Sequence, residues 1–253
     1  MEKFNTLTEK KAGPTIPVIP SVERRMFLRS LGLASASALA LLSSCAQEKL
    51  VAPSTGLGRS GARMGATILP DGTIDLGPGD IGISNLAYAL DQLEVAFYHT
   101  AVEKAYGLNE MDRKVLVELH DHEIVHKEFF KALLGDNAIP MLDFDFSAIN
   151  FNGRNDVFDA AQKFESVGVG AFNGTGPLIQ DLEILKIAGK MVSVEARHAT
   201  LARNMIYPRT YFALGHEMID GNGLDWHLTP DEVLAKAQPF IKQKLSAANL
   251  PKM

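Results

Sequence analysis

The chain has 253 residues, 46% apolar and 22% charged, with a formal net charge of −5 at pH 7. An acidic balance argues against nucleic acid or an anionic lipid surface as the partner of the folded part. The single cysteine, Cys45, excludes a disulfide within one chain.

Residues 1–45 read as an address rather than as fold. Arg24-Arg25-Met26-Phe27-Leu28-Arg29 resembles a twin-arginine export signal. The apolar run from Leu31 to Leu42 that follows is too short to span a bilayer as a stable anchor. Leu42-Ser43-Ser44-Cys45 resembles a bacterial lipobox, with Cys45 as the acylated residue. The alternative is ordinary signal-peptidase cleavage beside an incidental cysteine. On the first reading the chain is exported by the twin-arginine route and sits in the periplasm or cell envelope, held to a membrane by its lipid alone. Removal of residues 1–44 leaves 19 basic and 27 acidic residues, a formal charge of −8.

Residues 46–83, rich in Gly, Ser and Pro, read as a flexible tether, with a small hairpin around Pro70-Asp71-Gly72 between Thr67 and Leu76. From there the period is helical. Helix 1 is predicted over Ser84–Tyr106, capped by Asp80 or Ser84, with Ala87, Leu90, Glu94, Phe97 and Ala101 on one face. Helix 2 is predicted over Asn109–Leu134, with Leu116, Leu119, Glu123, His126, Phe130 and Leu133 in register and Gly135 past its end. A long connection, 136–155, follows; inside a compact domain it reads as a crossover along a bundle. Helix 3 is predicted over Asp156–Phe172, a turn over 173–177, and helix 4 over Leu178–Met205, stopped by Pro208. The tail, 207–253, carries one more helix, Asp231–Leu245, bent by Pro239 and packed on the bundle. The fold class is therefore all-α: an antiparallel four-helix bundle over 84–206 with a long helix 2–3 crossover and an extra C-terminal helix.

Two short motifs carry the chemistry. Glu123-Ile124-Val125-His126 and Glu195-Ala196-Arg197-His198 are both Glu-x-x-His units, and each has one more glutamate a helix upstream, Glu94 and Glu165. Residues i and i+3 share a helix face, so each unit presents a carboxylate and an imidazole together. Both units fall on apolar faces, where surface pairs have no reason to be. Four ionised glutamates in an apolar interior are untenable alone, and two divalent cations cancel their charge. Oxygen-rich ligation with two neutral imidazoles and no thiolate suits iron or manganese. Six ligands for two metals leave open positions for O₂ or peroxide.

Over residues 78–206 the chain resembles the ferritin-like superfamily. Within it, the chain looks like the exported bacterial ferritin-like proteins related to plant desiccation-related proteins. The resemblance rests on Asn85-Leu86-Ala87-Tyr88-Ala89-Leu90-Asp91-Gln92-Leu93-Glu94, on both Glu-x-x-His units, on Phe164-Glu165, and on Leu228-Thr229-Pro230-Asp231-Glu232-Val233-Leu234 in the tail. It implies two iron or manganese ions per chain. Glu94 and His126 would be terminal ligands of one metal, Glu165 and His198 of the other, and Glu123 and Glu195 would bridge. The lipid tether and the C-terminal extension argue against a closed storage shell.

Around these six, His120 and Tyr98 are candidates to orient a ligand, each weighed against an ordinary core or solvent role. Gly168 and Gly170 either open room beside the metals or allow close helix packing. Asp121, His122 and Glu128 read as a solvated face, and His99, His216 and His227 show no partner spacing. Two functions are compatible with the sequence. One is a two-metal oxidoreductase acting on O₂ or peroxide, ferroxidase-like or manganese-catalase-like. The other is a non-enzymatic metal-binding or structural stress-protective envelope lipoprotein with a vestigial site. Neither involves nucleic acid, and either admits a homo-oligomer.

Overall fold

The computed structural model describes residues 65–105, 107–208 and 219–252. The export signal, Cys45, the tether up to residue 64 and His216 lie outside the described residues. Among the described residues, the order is β1 (Thr67–Ile68), β2 (Ile74–Asp75), α1 (Gly79–Lys104), α2 (Glu110–Leu134), α3 (Arg154–Thr175), α4 (Leu182–Ile206), α5 (Pro230–Ala237) and β3 (Leu245–Ser246). No described helix is long and apolar enough to cross a membrane.

Four helices make the bundle, with α1 packed on α2 and α3, and α3 packed on α4. Each helix start has a local cause. Asn109 and Asp112 form a reciprocal capping box at α2, and Asp181 accepts from the amides of Glu183 and Ile184 at α4. Gly135 ends α2 at φ +53°, a backbone state that disfavours a side chain.

Three polar ties fix the helix directions. Asp80, at the start of α1, accepts from the amides of Gln180 and Asp181, just before α4. Arg154, at the start of α3, pairs with Asp112 at the start of α2 (2.7 Å) and donates to the carbonyl of Met205 near the end of α4. Asn85, on the first turns of α1, donates to the carbonyl of Asn137, just past α2. The path is therefore up, down, down, up, and the chain between α2 and α3 must travel the full length of the bundle. It does so against α1. The side chain of Asn85 accepts from the amide of Ile139, and that of Gln92 from the amide of Leu142. Further along, Phe146 and Phe151 pack around the ring of Phe97. Because α2, α3 and the crossover enclose it, α1 is buried on every side from Gly82 to Glu94.

The chain ends close beside this bundle. The strands β1 and β2 are antiparallel, and β2 pairs in parallel with β3, so N- and C-terminal segments share one small sheet. Ile74 and Leu76 are buried there with Leu245 and Leu250.

Several element bounds differ from the sequence expectation. The segment expected as tether is built into the fold from Gly65 on, and α1 begins at Gly79 rather than Ser84. Neither Asp80 nor Ser84 caps α1; Pro78 holds that position, and Asp80 instead ties α1 to the α3–α4 turn. Helix α3 runs through the expected turn to Thr175, and α4 starts at Leu182. Helix α5 ends at Ala237, Pro239 sits in a single 3₁₀ turn rather than bending a longer helix, and Leu245–Ser246 is strand.

Candidate metal centre

Halfway along the bundle, all six sequence-nominated residues are buried: Glu94, Glu123, His126, Glu165, Glu195 and His198. Their contacts cross between helices. His126 Nδ1 stands 2.9 Å from Glu195 Oε1 and 3.4 Å from Glu123 Oε2. His198 Nδ1 stands 2.7 Å from Glu123 Oε1 and 3.4 Å from Glu165 Oε2. None of these contacts has hydrogen-bond alignment. Nine buried side-chain atoms of this cluster and of Asp91 have no hydrogen-bond partner among the described residues. A concentration of orphaned lone pairs is costly by itself and is what a cation would satisfy.

Two overlapping groups are able to hold a metal ion. One comprises Glu123, Glu165, Glu195 and His198; the other comprises Asp91, Glu123, His126 and Glu195. In each, the donor atoms lie within 4.8 Å of one another. Glu123 and Glu195 are common to both, the placement that bridging requires. Glu94 belongs to neither group. Its Oε1 is buried and unpartnered beside Gly168, and Asp91, one turn earlier, takes the place beside His126 that the resemblance implied for Glu94.

The electrostatics follow from crowding acidic groups in a dry interior. Burial, then the neighbouring charge of Glu123, pushes Asp91 and Glu94 well above the usual carboxylate range. Burial raises Glu165 to about 8, against the pull of His198, and it also raises Glu195. Glu123 goes the other way: burial opposes its charge, but His126 and His198 flank it and hold it down. Burial works against charge on the two histidines as well, and their carboxylate neighbours outweigh it, carrying His126 to about 11 and His198 to about 10.

Two further side chains hold the cluster in place. The Tyr98 hydroxyl donates to Glu165 Oε1 across the bundle, the orienting role that its spacing from Glu94 suggested but on the opposite helix pair. His122 Nδ1 lies 2.7 Å from His198 Nε2, so the expected solvated-face histidine is half-buried and reaches the site. Which of the two rings donates depends on the tautomer; were His198 Nδ1 given to a metal ion, its Nε2–H would donate to His122. His120 does not orient Glu123. Its Nδ1 stands 3.6 Å from Asp121 and its ring stacks on His99. The two glycines divide the roles proposed for them. A Cβ at Gly168 would lie 3.3 Å from Glu195 Oε2, so its absence leaves room at the carboxylates. A Cβ at Gly170 would lie 2.8 Å from the Leu228 side chain, so that glycine serves close packing.

An up-down-down-up bundle with carboxylates and histidines from all four helices at its centre is a ferritin-like bundle. A family model described as a ferritin-like domain matches residues 79–208, just over half the chain, and the chain belongs to that family. The match ends just past α4, so β1, β2, α5 and β3 lie outside the matched residues. Comparison with curated proteins finds no match.

Proposed function

We propose that the centre binds two iron or manganese ions and works in redox chemistry with O₂ or peroxide at the cell envelope. The observation that supports this most is the set of eight buried, unpartnered side-chain atoms that fall in two groups sharing Glu123 and Glu195. The donor set is oxygen-rich with one imidazole per group and no thiolate, which fits these metals. Bound there, the ions would supply one-electron redox steps and open positions for the oxidant.

The chain's own residues do the rest. Glu123 and Glu195 reach both groups, and Glu165 and His198 complete one of them. Tyr98 fixes the orientation of Glu165, and the contact with His122 holds the ring of His198. Because His122 is half-exposed, the contact between the two imidazoles also offers a path for a proton between His198 Nε2 and solvent. Gly168 leaves the space beside the Glu195 and Glu94 carboxylates free of a side chain.

The test is metal content of the full-length protein purified from iron- and manganese-replete cells. About two ions per chain, lost in Glu123→Ala, is the expected result. No bound metal, even after anaerobic reconstitution, overturns the redox reading and leaves a structural envelope protein. Export by the twin-arginine route and acylation at Cys45 belong to the same proposal and rest on the N-terminal sequence. Mass spectrometry of the mature N-terminus checks them: a lipid-modified Cys45 is expected, and an unprocessed Met1 rules them out.

A further inference from the structure

The chain repeats its ligand pattern, but the residues around the repeat are not alike. Glu94 corresponds to Glu165, Glu123 to Glu195, and His126 to His198. Three residues before the first glutamate of each pair stand Asp91 and Gln162; four residues after it stand Tyr98 and Val169; one residue before each Glu-x-x-His stand His122 and Val194. Each of these mismatches has a structural consequence. Tyr98 donates to Glu165, whereas Val169 can give Glu94 nothing. His122 contacts His198, whereas Val194 has no such atom for His126. Gln162 is neutral and its amide turns to Ser166 on its own helix, whereas Asp91 is 2% exposed with Oδ2 unpartnered and aimed into the cluster.

Direction explains why Asp91 meets His126. In the antiparallel pair α1 and α2, Asp91 lies one turn from Glu94 toward the start of α1. His126 lies one turn from Glu123 toward the end of α2, which is the same end of the bundle. A carboxylate at 91 is therefore level with the imidazole at 126, while Glu94 is level with Glu123.

We infer that Asp91 is the terminal carboxylate ligand of the metal beside His126, so that six residues hold the metals in two unequal halves and Glu94 is not one of them. The inference rests on the two-metal reading above. The half with Glu165 and His198 is held in place before metal arrives, by Tyr98 and His122, and it fills first. The half with Asp91 and His126 has unanchored carboxylates and fills second, with Glu94 in reserve beside it. A fifth carboxylate in the cluster weighs further toward hard, oxygen-preferring cations such as manganese(II) and iron(II).

Anaerobic calorimetric titration of the full-length metal-free protein with Mn²⁺ tests this, with low-temperature electron paramagnetic resonance to count the bound ions. Two binding steps of unequal affinity are expected. Asp91→Asn should weaken the second step at least tenfold and leave the first unchanged, and Glu165→Gln should weaken the first. Asp91→Glu, which keeps the charge, should retain both steps. Far-UV circular dichroism confirms that each variant folds, and the near-isosteric Asp91→Asn is chosen for that reason. Two wild-type steps that persist unchanged in Asp91→Asn, or a second step lost only in Glu94→Gln, overturn the role of Asp91 and leave the two-metal reading standing. No Mn²⁺ or Fe²⁺ binding by the wild type overturns both.

Discussion

Glu165 keeps its proton up to about pH 8 in the folded chain, against 4.5 for an ordinary glutamate. The folded state therefore binds more protons than the unfolded state between those values, and metal-free stability falls as pH rises through that window. The two histidines act in the same sense at higher pH. Their protonated forms stabilise the metal-free fold fully below 6.5, and that contribution is lost as pH rises toward about 10 for His198 and about 11 for His126. Glu123, held low by the same histidines, contributes in the opposite sense, and only in acid. Metal ligation needs the deprotonated carboxylate and the neutral imidazole, so binding displaces these protons and strengthens with pH. The expected outcome is a metal-free Tm that declines from pH 5 to pH 9 and a metal-induced rise in Tm that grows over the same range. Differential scanning fluorimetry with and without Mn²⁺ measures it. A rise independent of pH would mean that these groups do not give up protons to the metal.

At the scale of elements, the crossover depends on two buried amide side chains. Asn85 donates to the carbonyls of Leu76 and Asn137 and accepts from the amide of Ile139, and Gln92 accepts from the amide of Leu142. The Asn137 carbonyl also accepts from the amide of Ala66, so Asn85→Ala strands two backbone groups, the Leu76 carbonyl and the Ile139 amide, and at about 1–3 kcal/mol for each buried group left unpaired it should cost about 2–6 kcal/mol. Gln92→Leu strands one clear partner and should cost less. Urea unfolding of the metal-free protein gives both values, and limited proteolysis between 136 and 153 should quicken in Asn85→Ala. Equal stability in all three proteins would show that the crossover packs without them.

Much of this level was legible in the sequence. The apolar period placed α1 to α4, and the doubled Glu-x-x-His pattern brought Glu123, His126, Glu165, Glu195 and His198 to one centre. What escaped has physical causes. Gly174 reads as a turn, but a Cβ there would meet the Leu228 carbonyl, so the glycine serves packing inside α3 rather than ending it. Two-residue strands show no alternation, so β3 left no periodic trace. Asp91 and His122 lie on the flanks of their apolar faces, where a helical period alone reads solvent or core. Their signal was present as spacing: Asp91 is three residues before Glu94, and His122 is four before His126. Which of Asp91 and Glu94 meets His126 depends on the relative height of two helices, which no single-helix pattern contains.

For the molecule as a whole, the centre is a liability without metal and would be a clamp with it. Five acidic side chains from α1 to α4 are buried together at the centre of the bundle. The packed layers on both sides, from Leu86 and Phe130 at one end to Phe97 and Phe158 at the other, hold the helices together regardless. Removing metal should therefore leave helical content nearly unchanged while lowering stability. A ligand that binds only the folded state adds about 2.7 kcal/mol at a hundred times its Kd. For a chain of this size each kcal/mol moves Tm by about 2–4 °C, so each ion should raise Tm by about 5–10 °C. Calorimetry of the chelator-treated protein, before and after adding Mn²⁺ or Fe²⁺ without oxygen, reads this directly. Glu123→Ala breaks both ligand groups at once because Glu123 belongs to both, so it should respond to neither ion. A full wild-type shift in that variant would place the metals elsewhere on the chain.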